Sequence, residues 1–89
     1  MIDLRSWLPR VLCRWLRRLA WLTAFQDAIL RVRQLTGLST ERAAEVVAAA
    51  WRAGLRRGLP YAVAQRHLEW GLALGDTPRQ AIELIGGDA

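Results

Sequence analysis

Glycine stands at 37, 58 and 75 and as a pair at 86–87, and beside each break lies a residue suited to opening or closing a helix. Glycine takes the left-handed conformation that ends many helices, while Ser, Thr or Pro just beyond it starts the next one. Ser6 can cap a first helix from Trp7, with Pro9 still in the tolerant first turn and Gly37 past its end. Ser39 caps a second helix, with Glu41 near its positive end and Arg52, Arg56 and Arg57 near its negative end before Gly58. Pro60 opens a third, closed by Gly75. Thr77-Pro78-Arg79-Gln80 reads as a cap, an N1 proline and a capping-box glutamine for a short fourth helix. The expectation is an all-α chain, a small bundle of four helices at about 7–35, 40–57, 60–74 and 78–85 with a long N-terminal helix. No segment alternates as a strand does.

With 89 residues, a hydrophobic share of 53% and five tryptophans, the chain has material for one modest core and reads as one helical domain over 1–89. The repeated cap pattern, Gly37-Leu38-Ser39 and Gly75-Asp76-Thr77, is explained by shared capping chemistry without a repeat array. Cys13 is the only cysteine, so no internal disulfide forms and a reducing, cytoplasmic setting is expected. Arginines at 10, 14, 17 and 18 interrupt every apolar stretch that could serve as a secretory leader or a spanning helix. A transit peptide is also Arg-rich and amphipathic, but Asp3 and the scarcity of serine count against one.

Advancing 100° per residue assigns faces. In the third helix Tyr61, Val63, Ala64, His67, Leu68, Trp70, Leu72 and Leu74 cover more than half the circumference and leave Gln65, Arg66 and Glu69 as a polar strip, which predicts a central helix. The second turns Val47, Ala50, Trp51 and Gly54 inward, and Trp51 and Leu68 are expected in the core. In the first helix Leu4, Leu8, Val11, Trp15, Leu22, Phe25, Ile29 and Val32 form a heptad-like seam, widened by Leu12, Leu16 and Leu19, which predicts burial. Trp7, Arg10, Arg14, Arg17 and Trp21 share an arc of roughly 80° and are expected on the side of the helix opposite that seam.

The net charge of +5 rests on thirteen arginines and no lysine. Arginine is weakly hydrated and forks onto carboxylate or phosphate, so it suits contacts that become buried. Catalytic chemistry is thinly represented. His67 is the sole histidine, with no partner at metal-ligand spacing, and fits a core or boundary position. Ser6, Ser39, Thr40 and Thr77 are accounted for as helix-start residues, the acids are scattered, and no phosphate-binding loop is present. No enzyme activity, cofactor, metal or small-molecule substrate is expected.

Over the last quarter of the chain, Gly71, Leu74, Gly75, Thr77 and Leu84 resemble the helix-turn-helix pattern, which implies DNA reading by the fourth helix. Asp76 stands where an apolar residue is usual, Ala81 is small for its position, and only Arg79 could reach a base or phosphate. A second match around Gly37 and Leu38 has Arg33 where a small residue belongs. Neither match assigns a family. The leading expectation is therefore a helical accessory or regulatory protein that binds a protein partner, or itself, through Trp7, Arg10, Arg14, Arg17 and Trp21, since aromatic and arginine side chains together make interface hot spots. The alternatives are nucleic-acid binding through Arg10, Arg14, Arg17, Arg18, Arg52, Arg56 and Arg57, and an amphipathic helix at a membrane surface.

Overall fold

The computed structural model describes the backbone of residues 4–87 and the side chains of residues 9–87. Four helices follow in order: α1 (Leu4–Thr36), α2 (Thr40–Arg56), α3 (Tyr61–Ala73) and α4 (Pro78–Gly86), with no strand among the described residues. The fold is the all-α bundle with a long first helix that the punctuation predicts, and the last three helices keep their expected bounds within a residue or so. The start of the first helix is corrected. It begins at Leu4, so Ser6 lies inside it and Pro9 is an internal residue that removes one backbone hydrogen bond.

Local chemistry accounts for the other boundaries. The Ser39 hydroxyl accepts the Arg42 N–H at 3.2 Å to start α2. Thr77 accepts the Gln80 N–H at 3.2 Å while the Gln80 side chain accepts the Thr77 N–H at 3.0 Å, completing the capping box of α4. Gly58 ends the α2 turn at φ 74° and Gly75 the α3 turn at φ 98°. Arg57 departs from its expected place over its own helix end: its guanidinium donates to the Ile85 carbonyl at 3.0 Å, satisfying the end of α4 instead.

The central helix is α2, not α3. Ala43, Val46, Val47, Ala50, Trp51, Ala53 and Gly54 are all buried, against Ala28 and Val32 from α1, Ala64, Leu68 and Leu72 from α3, and Ala81 and Ile85 from α4. A Cβ at Gly54 would lie 2.7 Å from the Cβ of Ala64, so this glycine lets α2 and α3 approach backbone to backbone. On α3 the buried apolar edge is Ala64, Leu68 and Leu72, because the other three helices all pack on that side. Tyr61, Trp70 and Leu74 remain exposed, His67 is exposed rather than at the boundary, and Gln65 goes inside to accept the Trp51 indole N–H at 2.9 Å.

The molecule is elongated. Its extents are 59 × 26 × 17 Å and its radius of gyration is 16.3 Å, against about 12 Å for a compact chain of this length. The cause is a mismatch of lengths. At ~1.5 Å per residue α1 is about 50 Å long and α2 about 25 Å, so α2 can cover only half of α1.

Candidate functional site

Beyond the body, α1 continues as an arm. From Pro9 to Thr23 every described side chain except Val11 is exposed, including Leu12 (53%), Trp15 (57%), Leu16 (61%) and Leu19 (55%). The predicted seam is therefore not one core face. Phe25, Ile29 and Val32 pack on the body, whereas Leu12, Trp15, Leu16, Leu19 and Leu22 are uncovered. Stepping back from Val32 in threes and fours, the body-packed side runs through Ala28, Phe25 and Trp21 to Arg18, Arg17, Arg14 and Arg10. The arginine stripe, expected opposite the packed seam, is instead a continuation of the packing side of α1 past the point where there is anything to pack against. The five apolar residues span an arc of about 120° on the far side of the helix.

Trp7 lies outside the residues whose side chains are described. Arg10, Arg14 and Arg17 are exposed along the arm, as expected of a binding face. Trp21 differs from them because it joins arm to body. Its ring stacks on Phe25 at 5.3 Å and meets the edge of Trp51 at 5.9 Å, while Trp51 stacks on Tyr61 at 4.9 Å. With 43% of its surface open, Trp21 is half packing and half available. Below it an apolar groove of about 480 Å³ is lined by Trp21, Phe25, Trp51, Leu55, Pro60 and Tyr61, among others, with Arg52 the one charged residue on its walls among the described residues. Sequence reasoning missed this groove, because it joins residues up to 40 positions apart, Trp21 and Tyr61.

Of the remaining arginines proposed for nucleic acid, Arg18 and Arg56 are exposed and Arg52 lines the groove, but Arg57 is tied to α4. In α4, Arg79 pairs with Glu83 at 3.2 Å, which places an acid beside the one cation a reading helix would present to phosphate. Among the described residues no group of His, Cys, Asp and Glu could hold a metal ion, and no helix is long and apolar enough to cross a membrane. No family model, curated protein or solved structure matches the chain.

The exposure pattern carries an expected result for stability. Leu12→Ala and Leu16→Ala should each move the free energy of unfolding by no more than about 0.5 kcal/mol, since little burial is lost. Trp21→Ala should cost about 1–2 kcal/mol through its two aromatic contacts. Urea unfolding of the three variants checks this, and a large loss at Leu16 would mean that the arm packs on the body.

Proposed function

We propose that the protein is a non-enzymatic helical accessory or regulatory protein that binds a protein partner through the body-side face of the arm. What supports this reading is the continuity of that face: Arg10, Arg14, Arg17 and Arg18 lead into Trp21 and the aromatic groove with Arg52 beside it. An acidic partner segment would lie along the arginines and seat an apolar side chain in the groove, with charge guiding encounter and the aromatic contact limiting release. A protein suits this face better than duplex nucleic acid does, because an apolar groove gives a phosphate backbone nothing to bind. We place the protein in the cytoplasm, where Cys13, exposed and unpaired, would stay reduced.

Photo-crosslinkers installed at positions 14 and 17 in cells that express the chain, with position 42 on α2 as a control, test the reading. The expected product is a protein adduct formed from 14 and 17 but not from 42. With that partner purified, Trp21→Ala should weaken binding by about 2 kcal/mol, mainly through faster dissociation. Adducts removed by nuclease, with affinity falling steeply as salt rises, would instead support the arginine-phosphate alternative.

A further inference from the structure

The face of the arm turned away from the body is a second surface, independent of the groove. Leu12, Trp15, Leu16, Leu19 and Leu22 are all exposed there, and no polar side chain interrupts the arc they form between Val11 and Leu22. The three-helix body packs on the opposite side of the same helix, so a flat surface can meet the whole arc without touching α2, α3 or α4. No acid occurs between Asp3 and Asp27, whereas Arg10, Arg14, Arg17 and Arg18 share the side of the arm turned from that arc. We infer that this arc lies on an anionic lipid bilayer, with the arm in the plane of the interface and the body held on the aqueous side.

Three observations select this occupant. A broad arc of Leu and Trp backed by arginine is the pattern of a helix that sits at the headgroup boundary, and the arginines match negatively charged lipid. The one hydrogen-bonding side chain on the arc is Trp15, whose indole N–H suits the headgroup boundary, where tryptophan keeps its apolar ring in and its polar edge wet. A second copy would bring Arg18 of both arms alongside the paired arcs with no acid on either arm to answer it. Since no described helix can span the membrane, the contact is peripheral.

The test is flotation of the purified full chain with vesicles of phosphatidylcholine alone and of phosphatidylcholine mixed with phosphatidylglycerol, alongside sedimentation of the protein without lipid. The expected result is at least about tenfold more binding to the anionic vesicles, declining with salt. The double variant Leu16→Gln/Leu19→Gln should lose at least about tenfold of that binding while keeping its urea midpoint, because both side chains are already in water. Trp21→Ala should retain vesicle binding, which separates this surface from the protein-binding face. The inference is overturned if the protein ignores both kinds of vesicle, binds them equally, or binds as well after the double substitution. It is overturned too if the chain sediments as a dimer that the double variant dissociates and floats with no vesicle, which would give the arc to a second copy.

Discussion

Trp51→Ala is expected to be the most damaging single substitution in the body, costing about 3–5 kcal/mol as large-to-small aromatic changes in cores do. Trp51 is 8% exposed and contacts Trp21, Phe25 and Tyr61, so its ring joins α1, α2 and the start of α3. Its indole N–H also supplies the hydrogen bond to the buried Gln65 side-chain oxygen, and the Gln65 amide nitrogen has no protein partner among the described residues. Removing the indole leaves a buried amide with neither end satisfied, which adds to the cost of the cavity. Trp51→Phe keeps an aromatic ring, loses the hydrogen bond and leaves only a small gap, so it should lose less, about 1–3 kcal/mol. Urea unfolding monitored by circular dichroism measures both. A domain of this size has on the order of 5–15 kcal/mol in total, so Trp51→Ala should shift the midpoint far to low denaturant. A loss below about 1 kcal/mol would show that the aromatic cluster does not hold α1 to the body.

Leu68→Ala is expected to cost roughly 2–5 kcal/mol. Leu68 is fully buried, with Val32 and Val47 the other large side chains that share this status. Alanine here opens a cavity in the core that the surrounding alanines are too short to fill. The informative comparison is Trp70→Ala, two residues along the same helix. Trp70 is 66% exposed, and its replacement should change stability by no more than about 0.5 kcal/mol although it removes a larger side chain. Equal losses at the two positions would mean that α3 is rotated from the orientation described.

Both predictions depend on which side of a helix faces inward, and this is where sequence reading was least secure. The apolar arc of α3 is wider than the surface its neighbours can cover: Leu68 is buried as expected, whereas Trp70 and Leu74 of the same arc are exposed. Gln65 was assigned outward because its side chain is polar, yet burying an indole N–H beside it requires an acceptor. For α1, a heptad-like spacing linked Leu8, Val11, Trp15 and Leu22 to Phe25, Ile29 and Val32; Leu8 lies outside the described side chains, and of the rest only the last three reach the body. The available signal was length, since a second helix half as long as the first can cover only part of it. The arginine stripe was legible as a cluster. That it prolongs the packing face, and that the leucines across the helix from it are uncovered, was not.

The sequence by itself determined the number of helices, nearly all their ends and the chemistry of their caps. Ser39, Thr77, Gln80 and the glycines act over three or four residues, a range within which backbone geometry is dictated by neighbours in the chain. Only the tertiary structure decided that α2 is the central helix, that Trp21 and Tyr61 wall one groove, and that half of α1 stands free. Those outcomes depend on where each helix meets another. An apolar side chain is buried only if a second surface reaches it, and the position of that surface is set by turns and close approaches such as Gly54 against Ala64, far along the chain from the residue whose burial they decide.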